Sequence, residues 1–470
     1  MINKTLDNIF KGDKGIWMVF FFLCVISVIE VYSASAQLTY KGGSYTAPVI
    51  KHIFLLAVGI FFMVVTLNVK CKYFKMATPF MLVVSLVTLL WVFLAGASTN
   101  GAQRWISIVG IQFQPSEIAK GTMVLATAQI LSALQTEDGA DKMAFKYILT
   151  VCFFIVPLIM VENLSTALLL CIVIFMMMLL GRVPMRQLGK LLGFAVLGVA
   201  LVVGAVMTFG KDEAQKPESQ TLTEQVAKPN DVNGTNVEEK AEDKNVVEKV
   251  FHRFDTWKSR INKFLAHKDV APKDIDLDKD AQVAHANIAI ASSNITGKGP
   301  GNSEERDFVS QAFSDFIYAI IIEEMGIVGA AGVAMLYIIL LFRTGRIASK
   351  CENNFPALFA MGLALLMVTQ ALANMFVAAG PFVTGQPLPL ISRGGTSTLV
   401  NCAYIGMILS VSRLAQKQER KRKAATLIAP AVQPEMPETK EEHPEYIPPA
   451  EQTAREIASG NFETPDTEQE

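Results

Sequence analysis

Ionisable side chains stand where hydrocarbon-compatible sequence ought to exclude them. Asp315, Glu323 and Glu324 lie in FVSQAFSDFIYAIIIEEMG (308–326), and Glu117 and Lys120 lie in QPSEIAKG (114–121). Ser392, Arg393, Thr396 and Ser397 flank Gly394 and Gly395 in GQPLPLISRGGTS (385–397). Charges at membrane depth are expensive unless they face a cavity or one another, so each is a candidate for chemistry or transport. Asp315 stands at the mouth of its apolar run, in the expected first turn of a helix, where it is wet and ionised and can work at the surface. Glu323 lies about 12 Å deeper and only about 80° round a helix, suited to supporting a polar interior together with Glu324. Glu117 follows Pro115 at an expected helix start, near the positive end of the dipole, with Lys120 three residues on. An ion pair that only fixes helix packing is the alternative for Glu117 and Lys120. Pro387, Pro389, Gly394 and Gly395 interrupt the last apolar run, and unwound backbone at that depth must be buried in protein or line a watery cavity. Its free N–H groups, with Ser392, Arg393, Thr396 and Ser397, could hold an anion. Gln370 and Asn374 add an i, i+4 polar pair that could equally be an interhelical clamp, and Gln282 is counted with the supporting polar residues.

These groups need a membrane scaffold, and the composition supplies one. The chain has 470 residues, 51% of them hydrophobic, with formal net charge −1. Its mean hydropathy of +0.36 is too apolar for a soluble protein of this size. Apolar runs recur at about 16–36, 49–68, 77–96, 114–134, 147–161, 164–181, 191–209, 313–342, 355–379 and 388–412. The expected fold is therefore an all-α polytopic membrane protein with about ten transmembrane helices. The first run, preceded by Lys4, Lys11 and Lys14, reads as a retained helix rather than a cleaved signal. Lys70, Lys72, Lys75, Lys142, Lys146, Arg182, Arg186, Lys190, Arg343, Arg346 and Lys350 fall in alternate loops, which places both termini in the cytoplasm. Helices one to seven then occupy 1–210, a large extracytoplasmic loop 211–312, and helices eight to ten 313–413.

Within the loop, 211–249 is charged and without aromatics and reads as a disordered insert. Phe251, Phe254, Trp257, Ile261 and Phe264 have the spacing of an amphipathic helix that lies on the membrane or packs on the bundle. GKGPGN (297–302) lacks the strand, helix and Lys-Ser/Thr ending of a phosphate loop and reads as a tight turn returning the chain to the eighth helix. The tail 414–470 begins basic, able to lie against anionic lipid, and becomes Pro- and Glu-rich, unable to build a core. None of the six cysteines falls in the large loop, so no disulfide framework is implied. The five histidines lack metal-ligand spacing, and no basic patch interleaved with aromatics suggests nucleic acid.

GAQRWISIVGIQFQPSEIAK, SDFIYAIIIEEMGIVG and GQPLPLISRGGTS resemble the three signature segments of the SEDS family (shape, elongation, division and sporulation), the FtsW and RodA group, over residues 16–413. The resemblance implies a peptidoglycan glycosyltransferase that polymerises lipid II on the outer face of the bacterial plasma membrane. It also implies a class B penicillin-binding protein as crosslinking partner, other divisome membrane proteins, and an undecaprenyl-linked glycan product. Residue by residue, Asp315 matches the family's essential acid, Glu117 and Lys120 its Gln-Pro-Ser-Glu segment, and Arg104 and Trp105 its Arg-Trp. Ser392, Gly394, Gly395 and Ser397 match its Ser-x-Gly-Gly-x-Ser. ENLSTA departs from the usual Pro-Asp-x-Gly-Thr, leaving Glu162 and Asn163 near the family's Asp, and Arg393 replaces a common aromatic.

An α-linked donor and a β-1,4 product call for one in-line displacement with inversion. That needs a base on the acceptor hydroxyl, assigned to Asp315, and positive charge on the departing pyrophosphate. Arg104, Lys120, Arg393 and the interrupted-helix amides are the expected pyrophosphate partners, with a divalent cation such as Mg or Mn as a hard partner for its oxygens. A transporter of lipid-linked precursors is the alternative, since it too would use a polar cavity and a broken helix. A noncatalytic scaffold would leave the polar cluster unexplained. The ENLSTA variant and the long tail point to the division-type member, at the septum.

Overall fold

The computed structural model describes residues 11–34, 46–95, 97–99, 102–108, 111–209, 281–309, 312–379 and 385–428. The expected insert (211–249) and amphipathic helix (251–265) lie outside them. A helix forms over each of the ten apolar runs. These are α1 (Lys14–Ala34), α2 (Thr46–Asn68), α3 (Cys71–Ala95), α4 (Pro115–Ala133), α5 (Lys142–Glu162), α6 (Leu164–Leu180) and α7 (Met185–Phe209). After the short α8 (Ala281–Ser292) come α9 (Ile317–Ala348), α10 (Asn354–Ala379) and α11 (Gly395–Ile428). Seven of them, α1, α2, α3, α5, α9, α10 and α11, contain a stretch long and apolar enough to cross a membrane, and α6 is apolar but shorter. This is a multi-pass membrane protein. Its helices turn Phe21, Phe54, Phe61, Phe80 and Phe153 outward, as a lipid-facing surface requires.

The middle of the bundle is α4, buried along most of its length, which packs against α3, α5, α6 and α10. α11 closes on it through the Tyr404 hydroxyl, which donates to the Glu117 carbonyl at 2.7 Å. Helix ends are capped locally. Asp141 accepts from Met143 N at 2.7 Å to start α5, and Asn163 accepts from Ser165 N and Thr166 N at 3.0 and 3.3 Å to start α6.

Three sequence expectations change. The segment before α4, expected as a loop, is a three-stranded antiparallel sheet of β1 (Ala97–Thr99), β2 (Ala102–Ile108) and β3 (Ile111–Phe113). Its β-branched and aromatic residues pair across strands, Ile106 opposite Phe113 and Ile108 opposite Ile111. Two further strands, β4 (Gln135–Thr136) and β5 (Gly139–Ala140), form the hairpin between α4 and α5. The segment after Arg413, expected as a solvated tail, continues α11 as far as Ile428 because its Ala, Gln, Glu, Lys and Arg are strong helix formers. Asp315 stands ahead of its helix rather than in the first turn: Phe316 is the N-cap, and residues 312–316 form a turn. The cause is that the Asp315 carbonyl accepts from Asn374 Nδ2 at 2.9 Å instead of entering the helical ladder.

α9 is two helices end to end. Gly326 interrupts it with φ 69° and ψ −175°, and the backbone bonds lost there are replaced from outside. Lys298 N donates to the Glu323 carbonyl at 2.9 Å, Gly299 N to that of Glu324 at 2.8 Å, and Val328 N to Ile295 O at 3.4 Å. GKGPGN is thus a tight turn against this helix, as expected, and it is wedged into the break. A β-carbon on Gly297 would meet Glu324 O at 2.3 Å, and one on Gly326 would meet Ile295 O at 2.2 Å. Glycine is therefore needed on both sides of the junction.

Candidate active site

The interrupted stretch 385–394 is what brings the anomalous residues together. Two prolines leave its backbone short of helical partners, and four side chains from three surrounding helices take up the carbonyls. Asn374 Nδ2 donates to Gln386 O at 2.8 Å, Gln370 Nε2 to Pro387 O at 3.1 Å, Tyr337 to Pro389 O, and Ser27 Oγ to Ile391 O at 2.8 Å. Since the Ser27 proton is committed to Ile391, His52 Nε2 must be the donor in its 2.8 Å contact with Ser27. Leu390 is held at φ 68°, a conformation that only such dense support maintains in a branched residue.

This rigid stretch lies against the turn that carries Asp315. Ser392 Oγ donates to Ser314 O at 2.8 Å, and Arg393 N donates to Phe313 O at 3.0 Å. The Arg393 guanidinium sits 5.3 Å from the Phe313 ring and forms no ion pair with a described residue. Asp315 is half-buried, and its Oδ1 accepts from Ser314 Oγ at 3.0 Å. Asn374 binds both Asp315 O and Gln386 O, so one amide fixes the acid-bearing turn to the interrupted stretch. Asp315, and Arg393 with no described counter-ion, are therefore carried by two segments that touch at one end of the bundle, beside the start of α11.

The expectation that the interrupted stretch offers free amides is narrowed. Leu388 N donates to Ser392 Oγ at 2.7 Å, Ile391 N and Ser392 N to Leu388 O at 3.2 and 2.9 Å, and Arg393 N to Phe313. The amides still open to an anion are those of Gly395, Thr396 and Ser397, which have no intrahelical acceptor in the first turn of α11.

Lys120 and Glu117 form a fully buried pair at 2.8 Å, 0% and 2% exposed. Lys120 also donates to Gln370 Oε1 at 2.9 Å, and Glu117 accepts from Ser397 Oγ at 3.3 Å. The pair lies directly beneath the first turn of α11 and ties it to α4 and α10. Arg104 is on β2, at the point where the pairing with β1 shifts register between Ala97 and Ser98. The side chains of Arg104 and Trp105 lie outside the described residues.

Glu323 and Glu324 are both buried and belong to a different assembly. Glu323 accepts from Lys298 Nζ at 2.7 Å, Ser303 Oγ and Glu304 N at 3.1 Å, while Glu324 accepts from Ser33 Oγ and from Gly301 N at 3.0 Å. Arg306 bridges to Ser33 at 2.9 Å and Gly301 O at 2.6 Å. The bond to Glu323 raises the Lys298 ammonium above the ordinary lysine range. The two glutamates are the buried anchor of the 295–306 turn. Gln282, at the start of α8, lies on a helix that packs against α9 and α10. Sequence reasoning missed Ser27, His52, Tyr337, Arg306 and Gln386. Gln386 lies within the GQPLPLISRGGTS segment but carries no distinguishing charge, the other four belong to no motif, and only the packing of distant helices brings them together. Glu162 is buried at the end of α5, and the neighbouring Asn163 acts as the cap of α6.

The cell cycle protein family FtsW/RodA/SpoVE matches residues 13–233 and 246–417. The chain belongs to this family. Peptidoglycan glycosyltransferase MrdB of Escherichia coli (strain K12) is 24% identical over 414 residues, covering 87% of this chain and 95% of its own. The probable peptidoglycan glycosyltransferase FtsW of Hahella chejuensis is 28% identical over 408 residues, covering 85% and 89%. Two solved structures share the FtsW/RodA fold. RodA of Thermus thermophilus aligns with TM-score 0.55 at 20% identity over 86% of this chain and 97% of its own. A chain from a peptidoglycan synthase complex that coordinates polymerization and crosslinking aligns with TM-score 0.59 at 20% identity, over 86% and 98%.

Proposed function

We propose that this FtsW/RodA-family chain is a peptidoglycan glycosyltransferase that polymerises lipid II into β-1,4 glycan by an inverting displacement. The observation that carries the mechanism is the junction of the 312–316 turn with the 385–394 stretch, where Asp315, Arg393 and the first turn of α11 converge. Asp315 takes the proton from the acceptor 4-hydroxyl as that oxygen attacks the anomeric carbon and the lipid pyrophosphate departs. Arg393, Arg104 and the amides of Gly395, Thr396 and Ser397 receive the charge developing on the pyrophosphate. Ser392, Gly394, Gln370 and Asn374 hold the two segments in register, and the enclosed Lys120–Glu117 pair positions α11 from below. Among the described residues no group of three or more His, Cys, Asp or Glu side chains could hold a metal ion. A divalent cation would need the substrate's pyrophosphate oxygens among its ligands, and no step above depends on one.

The lysine and arginine distribution puts Asp315 on the outer face and both termini in the cytoplasm. Family membership supports a class B penicillin-binding protein as crosslinking partner, and the ENLSTA variant and the long tail support a role in division at the septum. Depletion should give unseptated filaments, and round cells would reverse that assignment. The activity is tested with Asp315→Asn, which keeps the side chain's size and hydrogen bonding. Purified with its partner and given lipid II, it should polymerise roughly 10²- to 10⁴-fold more slowly while the complex still elutes intact. A well-folded variant complex making long glycan strands at the normal rate would remove Asp315 as the base.

A further inference from the structure

We propose that the end of the bundle opposite Asp315 carries a second binding site, for a phosphate group of the kind an anionic phospholipid presents. The start of α1, the last turns of α9 and the middle of α11 line an open pocket of about 120 Å³. A single water needs only ~10–15 Å³, so this space admits a group of several atoms. Asp13, Arg343, Arg346, Lys350, Ser412 and Gln416 line it, three cations to one carboxylate.

The carboxylate is already committed. Asp13 accepts from Arg343 Nε and Nη2 at 3.0 and 2.8 Å, and from the amides of Gly15 and Ile16 at 2.8 and 3.1 Å as the cap of α1. Lys350 is shared with Glu419 at 2.9 Å, on the exposed rim. Arg346 makes no ion pair with a described residue, and its guanidinium lies 5.9 Å from the centre of the Phe342 ring. One guanidinium therefore faces the cavity without a neutralising partner.

Ser412 supplies the independent observation. It is 1% exposed, its hydroxyl has no hydrogen-bond partner among the described residues, and it lines the same cavity. Buried hydroxyls are rarely left unpaired, and an oxygen ligand seated here would satisfy it. A phosphate offers several acceptors at once, matching a guanidinium fork, an ammonium and a hydroxyl converging from different helices. Phe342, in contact with Arg346, and Ile338 and Met335 one and two turns before it on α9 are exposed and apolar, as an acyl chain below a bound headgroup requires.

The test uses full-length protein stripped of lipid in neutral detergent, with thermal unfolding and native mass spectrometry as readouts. One arm adds phosphatidylglycerol against phosphatidylcholine, and the other adds inorganic phosphate against chloride at equal ionic strength. The variants are Arg346→Gln and Ser412→Ala. Neither touches the polymerisation machinery, and Ser412→Ala should fold at least as well as wild type because it deletes an unpaired buried polar atom. Wild type should retain and be stabilised by phosphatidylglycerol, and each variant should bind it roughly ten-fold or more weakly. If inorganic phosphate alone gives the same variant-sensitive stabilisation, the site takes a soluble phosphate compound and the proposed chemistry stands. Equal retention of the two lipids with no effect of phosphate, or equal binding by wild type and both variants, would overturn it.

Discussion

Lys120→Met tests whether the buried pair beneath α11 is a positioning device. Methionine keeps most of the volume and removes the ammonium that donates to Glu117 Oε1 at 2.8 Å and Gln370 Oε1 at 2.9 Å. Glu117, 2% exposed, would retain Ser397 Oγ at 3.3 Å as its remaining described side-chain donor. Stranding one partner of a buried pair costs about 3–5 kcal/mol, and the orphaned Gln370 oxygen adds roughly 1 kcal/mol. Adding Glu117→Gln to Lys120→Met removes the stranded charge and should restore more than half of the loss, whereas independent sites would make the two changes additive. The assay is unfolding of purified protein in mixed micelles, wild type against both singles and the double, followed by lipid II polymerisation. A single variant as stable as wild type, or a double as unstable as the single, would refute the pairing energetics. A double variant that folds normally yet makes no glycan at all would refute the positioning role and return Lys120 to direct contact with the pyrophosphate.

Gly326→Ala should dislodge the 295–306 turn, because its β-carbon would meet Ile295 O at 2.2 Å and its φ of 69° is unfavourable for alanine. Limited proteolysis within that turn should accelerate at least ten-fold, a loss of about 1.4 kcal/mol in its docking, and an unchanged cleavage rate would show that the wedge does not hold the break. Asn163→Ala removes the two-amide cap of α6 and should cost about 0.5–2 kcal/mol, while Asn163→Asp should retain the cap. Comparing thermal unfolding of the two variants checks this, and equal losses would rule out capping as the reason for asparagine in ENLSTA.

The apolar runs determine the helices, since hydrocarbon-compatible stretches of about 20 residues have few alternatives to helical backbone. Asp315, Glu117, Lys120 and Arg393 were legible because charge is costly in such runs, and the resemblance to the SEDS family rests on those same segments. The hairpin 102–113 escaped notice because its pairing depends on partners across short turns rather than on a long period. What tertiary structure decided is which polar groups remain available. Spacing cannot tell that Glu323 and Glu324 hold a loop docked into the Gly326 break, because Lys298, Ser303 and Arg306 reach them only after the chain folds back. Nor could it foresee that the carbonyls of the interrupted stretch are held by Ser27, Tyr337, Gln370 and Asn374, or that Lys120 is enclosed. A buried polar group must find a partner, and sequence records the need. Only the packing of distant helices names the partner, and so shows that Glu117, Lys120, Glu323 and Glu324 hold the structure together while Arg393 forms no ion pair with a described residue.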